Sequence, residues 1–310
     1  MAIFALLLAS AGCDLAEVVT EPGEDVVVVE GVLYADVQLQ QILLHRSLQG
    51  HEAAGVPGAA VTVTDEAGVG HRFHEDVPNC FQVDPVYTGA DSLGFHGTCY
   101  SSSAGEDAWV HPGGTYDLRV ETADGRVIQG RTHVPGDFEV RTVPPMRGPF
   151  DTPPCSLAPD SALNMLWTRS AGAAGYLSAI RVTRLREGLG DVPFFVPDPL
   201  ELRGVSVSET DTTIVLPTEY GVFERFNYSD ELLTAVAHGF PAGTIMLATV
   251  SAADRNWVTS ARGGSFNPSG QVRISTVVGG GVGVFASLVQ KRAFITVQRS
   301  TSTPRCGLRG

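Results

Sequence analysis

The sequence predicts an all-β protein built as two β-sandwich domains, and three observations lead there. Short runs of Val, Ile, Thr, Tyr and Phe recur along the chain, bounded by Gly, Pro, Asn and Asp. Some of them, such as Ala60-Val61-Thr62-Val63-Thr64, alternate apolar and polar residues as a half-buried strand does. A cluster of prolines (Pro144, Pro145, Pro149, Pro153 and Pro154) denies backbone donors and divides the 310 residues into two stretches of ordinary domain size.

In the first stretch the predicted strands are Asp25 to Tyr34, Gln41 to Arg46, Ala59 to Asp65, His71 to Glu75, Ala108 to His111, Thr115 to Glu121 and Val127 to Val134. Ala123-Asp124-Gly125 is a hairpin turn, because Gly after Asp takes a positive φ at little cost. Beyond the prolines come Leu163 to Arg169, Gly175 to Leu185, Thr212 to Leu216, Thr244 to Ser251, Val272 to Val278 and Ala293 to Arg299. Trp167 and Tyr176 match the pattern in which aromatic residues of successive strands pack in a sandwich core. One helix is predicted, within Tyr228 to Gly239, with Ser229 or Asp230 as its cap and Gly239 as its stop.

The chain opens MAIFALLLASAGCDL: an apolar run, small residues, then Cys13. That order reads as a lipoprotein signal over residues 1–12, with Cys13 as the lipidated first residue of the mature chain. Residues 13–24 then form an acidic, polar tether, 25–143 the N-terminal sandwich, 144–154 the linker and 155–310 the C-terminal sandwich. No apolar stretch after residue 13 reaches the length of a membrane span.

With 34 acidic residues against 21 basic ones, the net charge is −13, which excludes duplex nucleic acid as a partner. Lys291 is the sole lysine, and this bias toward Arg reads as genome composition. Apart from Cys13, four cysteines remain, an even number that suggests disulfides in an exported chain. Three pairings are open; Cys80 with Cys99 and Cys155 with Cys306 is preferred, since the first closes a local loop and the second joins the ends of the second half. No Cys/His cluster has metal-ligand spacing, and no cofactor is implied.

Gly279-Gly280-Gly281-Val282-Gly283-Val284-Phe285 lacks the Lys-Ser/Thr of a phosphate loop. Its glycines predict a bulge or close crossing of backbones, with Phe285 returning to the core. His71 and His74 fall on opposite faces of a strand and cannot easily share a metal. No nucleophile-elbow, zincin or protease motif occurs, so no catalytic residue is assigned. The segment Phe81 to Ser103 carries Tyr87, Phe95 and Tyr100 among Gly and Ser between two cysteines. It reads either as a binding loop pinned by Cys80–Cys99 or as a structural insertion whose aromatics cover the sandwich end.

Several segments in order carry a family resemblance: Cys13; Val28-Val29-Glu30-Gly31; Val56-Pro57-Gly58-Ala59-Ala60-Val61-Thr62-Val63; Pro112-Gly113-Gly114-Thr115-Tyr116-Asp117-Leu118; Phe226-Asn227-Tyr228-Ser229-Asp230-Glu231-Leu232-Leu233; and Gly279 to Ser287. The chain resembles the family known as domain of unknown function 4249, cell-surface lipoproteins of Gram-negative bacteria. The first half is also similar to a transthyretin- or carboxypeptidase-regulatory-type sandwich, and the second to a fibronectin type III or immunoglobulin-like module. The resemblance implies no activity. It implies a surface accessory, since similar proteins accompany outer-membrane receptors of the TonB-dependent class.

The expectation is therefore a lipid-anchored envelope protein, on the periplasmic or outer face of the outer membrane, that binds or assembles rather than catalyses. The alternatives are a surface hydrolase or carbohydrate-acting enzyme with a site at the domain junction, and a purely structural envelope protein. Two carboxylates in a pocket, or a nucleophile beside a His, would mark the enzyme.

Overall fold

The computed structural model describes residues 25–47, 54–76, 80, 97–103, 108–143, 155–206, 208–218, 228–262, 274–299 and 305–307. The signal segment and Cys13, the tether, the proline linker, Tyr87 and Phe95 lie outside them.

The first half contributes β1 (Val27–Tyr34), β2 (Leu39–Arg46), β3 (Ala60–Asp65), β4 (Gly70–Asp76), β5 (Thr98–Ser103), β6 (Thr115–Glu121) and β7 (Val127–His133). The second half contributes β8 (Cys155–Leu157), β9 (Leu163–Leu166), β10 (Gly175–Thr183), α1 (Leu185–Leu189), β11 (Leu200–Ser206) and β12 (Thr213–Leu216). It continues with α2 (Asp230–Val236), β13 (Ile245–Ala253), α3 (Arg255–Arg262), β14 (Val277–Gly279) and β15 (Gly281–Val297). The protein is all-β, as the strand-length apolar runs require.

One mixed sheet threads both halves in the order β11-β10-β13-β15-β1-β2-β5-β4-β3-β6-β7-β14, with β8 beside β15, while β9 and β12 form a separate pair. The first half folds its part of this sheet over itself at β3 and β4, so that Val27, Val29, Ile42 and Leu44 share a core with Val61, Val63, Leu118 and Ile128. In the second half, Ile180, Val182, Met246 and Ile295 join Leu163, Met165, Ile214 and Leu216 of the β9–β12 pair in that core. Trp167 and Tyr176 meet with ring centroids 5.5 Å apart, as predicted, and the Tyr176 hydroxyl accepts the Ser170 amide at 2.8 Å.

The strand common to both halves is β15. Its first eight residues run parallel to β1, from Val27↔Gly281 to Tyr34↔Leu288, and from Leu288 onward it runs antiparallel to β13, from Leu288↔Ala253 to Thr296↔Ile245. The glycine-rich segment read as a close crossing is the start of this strand. A Cβ on Gly283, whose φ is +133°, would lie 2.0 Å from the Val29 oxygen. Phe285 is fully buried, as predicted, and fits because two facing positions lack side chains: a Cβ on Gly31 would lie 3.3 Å from its ring and one on Gly130 3.0 Å from its Cβ.

Some elements differ from the sequence reading. Ala108 to His111 is not a strand: the Val110 oxygen accepts the Asp36 amide, and the Tyr116 hydroxyl bridges Trp109 and His111, so local partners replace a ladder. β5, β8, β11, α1 and α3 were not anticipated. The anticipated helix is α2, with Ser229 accepting the Leu232 amide at 3.3 Å. His71 and His74 do face opposite ways, His71 stacking on Trp109 at 4.0 Å while His74 is exposed.

Gly283→Ala is expected to cost at least about 2 kcal/mol, combining a strained φ with a clash against backbone that side-chain motion cannot relieve. Gly68→Ala, also at positive φ (+83°) but with open space around it, should cost about 1 kcal/mol. Urea unfolding of the two variants measures the difference; equal costs would mean that β1 and β15 do not pack in this register.

Candidate functional site

Both preferred disulfides are present. Cys80–Cys99 and Cys155–Cys306 have Cα separations of 5.4 and 5.0 Å. β4 and β5 are antiparallel neighbours whose pairing ends at Asp76↔Cys99. The chain between them, 77–97, links antiparallel neighbours over far more than the usual two to five residues, and the Cys80–Cys99 bridge cross-links it near its ends. Tyr100, grouped with that loop at the sequence level, stands in β5 and is 1% exposed. Its hydroxyl donates to the Val56 oxygen at 2.7 Å and accepts the Ala59 amide at 2.9 Å, so it anchors the root of the loop to the core and offers no surface. Burial pushes its phenol up from the ordinary value.

The second bridge staples the C-terminal end to β8, where the Cys306 amide also donates to the Ser156 oxygen at 3.0 Å. Its 151-residue separation corresponds to roughly 5 kcal/mol of unfolded-chain entropy.

Where the halves meet, three polar side chains are sealed together. Thr132 of β7 donates to Asp254 Oδ2 at 2.7 Å and lies 2.7 Å from the Ser287 hydroxyl of β15. Asp254 Oδ1 accepts the Trp257 amide at 2.8 Å and so caps α3. Asn256 fastens the same helix by donating to the Arg131 oxygen at 2.6 Å and the Phe285 oxygen at 2.8 Å. All of Asp254, Thr132 and Ser287 are at most 3% exposed. Burial holds the Asp254 carboxyl above the usual carboxylate range, against the hydrogen bonds it accepts from Thr132 and the Trp257 and Ser287-side backbone. One carboxylate with two hydroxyls, closed to solvent, joins the halves mechanically; a solvated pair of carboxylates or a nucleophile beside a His is not what these residues form.

α3 lies on the sheet face opposite the main core. Trp257 and Val258 pack on Tyr34, Leu177, Ala179, Ala253, Ala286 and Leu288. Farther along the same face, among the described residues, a shallow depression is lined by Ala179, Arg181, Glu201, Arg203, Leu247 and Thr249. Glu201 Oε2 accepts Arg203 at 2.8 Å and its Oε1 lies 3.8 Å from Arg181 Nε. Sequence reading missed both features. Asp254 carried a signal, a capping residue directly after an apolar strand; the arginines did not, because their meeting depends on cross-strand register.

A family model described as Domain of unknown function (DUF4249) matches residues 15–180. No curated protein matches the chain. Among solved structures, a DUF4785 family protein from Legionella pneumophila is 9% identical with a TM-score of 0.21, the match covering 72% of this chain and 50% of that one. The chicken CNTN1 FN1-FN3 domains are 10% identical with a TM-score of 0.18, covering 87% of this chain and 65% of theirs. The chain thus spans half the length of the first and 65% of the second.

The raised pKa of Asp254 fixes the sign of a pH effect. Because the native state holds that proton more tightly than the unfolded chain, stability from this group is greatest below an unfolded pKa of about 4. It falls as pH rises from there through the native value. Asp254→Asn keeps a cap oxygen and removes the charge, so the stability of the variant relative to wild type should grow across that window in denaturant titrations at stepped pH. A constant difference would mean that Asp254 titrates normally.

Proposed function

The chain belongs to the family described as Domain of unknown function (DUF4249), and from that premise we propose that it is a lipid-anchored binding or assembly module of the bacterial envelope. Cys13 carries the lipid, the residues after it form the tether, and the folded body presents the disulfide-closed β4–β5 connection to a partner. The partner is an outer-membrane receptor of the TonB-dependent class, to which this chain is an accessory, and the protein itself performs no catalysis.

The observation that carries this reading is the cross-link near the ends of the long β4–β5 connection, Cys80 to Cys99. A loop of that length gains a preorganised root at a stabilisation of roughly 3 kcal/mol in chain entropy, and less ordering is left to be done when a partner binds. Two disulfides fit a chain that folds outside the reducing cytosol. Among the described residues no helix is long and apolar enough to cross a membrane; the order of residues ending at Cys13 is what supports attachment through a lipid.

Cys13→Ser should move the protein from the membrane pellet to the soluble fraction with both disulfides and the melting transition intact; retention in the pellet would sink the anchor. Deleting residues 84–96, inside the cross-link, should abolish co-purification of the receptor from detergent-solubilised membranes without lowering thermal stability. Undiminished capture by the deleted form would remove this loop from the binding surface.

A further inference from the structure

Three arginines gather on the sheet face beside α3. The register aligns Arg203, Ala179, Thr249 and Arg292 across β11, β10, β13 and β15, and the next row of the same face holds Glu201, Arg181, Leu247 and Phe294. Four strands span about 14 Å at the usual spacing. Small residues at the two middle positions, Ala179 and Thr249, make the floor between longer walls. Arg181 and Arg203 flank the Glu201 carboxylate and Arg292 stands at the β15 end of the row, in a chain whose net charge is −13. Local charge thus runs opposite to the molecule as a whole.

Glu201 is 15% exposed at its side chain and accepts from Arg203 through Oε2 alone, while Oε1 is buried without a hydrogen bond. It holds the guanidinium of Arg203 in place while leaving that of Arg181, 43% exposed, directed by charge alone. Arg292 is oriented by Gln290, whose Oε1 accepts from its Nε at 2.5 Å, and Gln290 is itself fixed by Ser251 at 3.3 Å. The held guanidiniums of Arg203 and Arg292 lose little freedom when they bind an oxyanion.

We propose that this face is a binding site for an acidic saccharide, a carboxylated or sulfated sugar unit within a longer chain. The guanidiniums of Arg181 and Arg203 take the anionic group, with Arg292 at the far end of the row meeting the next one. The unsatisfied Glu201 oxygen accepts a sugar hydroxyl once Arg181 turns to the ligand. Leu247 and Phe294, both half-buried, give the apolar surface against which the C–H face of a pyranose rests. A shallow row suits a polymer laid along it better than a small molecule that must be enclosed. The overall charge repels an extended anionic bilayer while admitting a single strand at one basic row.

The site is separate from the β4–β5 connection, so deletion of 84–96 leaves it in place and the two readings fail independently. The test uses the full mature chain with a sulfated oligosaccharide, a polyuronate, neutral dextran, polyglutamate and phosphatidylglycerol vesicles. Calorimetry should detect binding to the first two and not to dextran, weakening as salt rises. Arg181→Gln with Arg203→Gln should weaken it at least about tenfold while the variant still unfolds in one cooperative transition, and Arg292→Gln should weaken longer oligosaccharides more than single units. Equal affinity in the double variant, equal binding of dextran, or binding confined to polyglutamate or to vesicles would each overturn the proposal.

Discussion

Everything in this molecule depends on the backbone contact between β1 and the start of β15. A strand from the beginning of the chain and one from its end lie parallel, in register over eight residues, at a distance that only glycine allows at 281 and 283. Because β15 then continues as the partner of β13 and β8, one strand is structural material for both halves. The hydrophobic core reflects that sharing: Phe285 belongs by sequence to the second half and fills space between Gly31 and Gly130 of the first. The sealed Asp254, Thr132 and Ser287 cluster sits two residues farther along the same strand, where hydrogen bonds replace apolar packing. The halves are thus joined by ladder, core and polar lock within a few residues of β15, and their relative position is fixed.

Which parts of this were legible in the sequence follows from the range of the forces involved. Alternation, turns and caps act over a few residues, and they placed β3, β6, β7, β10 and α2 correctly. They also placed Phe285 inside and gave the reason for the glycines. β5 was hidden because Thr98 to Ser103, rich in Ser, reads as loop, and only its place between β2 and β4 makes it a strand. Tyr100 went with it, assigned to a binding loop when its hydroxyl in fact ties Val56 to Ala59. Of β15 the sequence predicts only the end, Ala293 to Arg299, as strand, because Gln290-Lys291-Arg292 interrupts its apolar run; Arg292 belongs to the arginine row and Lys291 reaches Asp137 at 2.6 Å. The arginine row itself is a property of register across four strands, which no local pattern encodes.

The unforeseen helix α3 explains why such a row exists. A sheet buried on both faces reads as continuous apolar sequence, and one buried on a single face alternates. The face beneath α3 does both: Leu177, Ala253, Ala286 and Leu288 are covered by Trp257 and Val258, and beyond Ala179 the same face carries Arg181 and Glu201 beside Leu247 and Phe294. The helix is short, eight residues, so it roofs only part of the strands' length. Where it stops, Arg181 and Arg203 line the depression together with Ala179 and Thr249, and arginine stems can cover such a floor while their charged ends stay at the surface. Shortness of the roof and the basic row are one structural fact.

The order of chain closure gives the shared strand a further consequence. Val27 and Gly281 are 254 positions apart in sequence, and Ala253 and Leu288 only 35. Closure entropy scales with the logarithm of that separation, so the β1 pairing costs about 2 kcal/mol more to initiate than the β13 pairing. On that basis β15 is assembled first as part of the second half, and its glycine end then stands as an exposed parallel template for β1. Such a template is the kind of unpaired edge that recruits the wrong strand. The glycines at 281 and 283 narrow the choice, since only a partner that can come as close as Val27 and Val29 do, with Phe285 accommodated by a glycine at the position of Gly31, completes the sheet. The close contact that makes the fold costly to alter is therefore also what makes its last pairing specific.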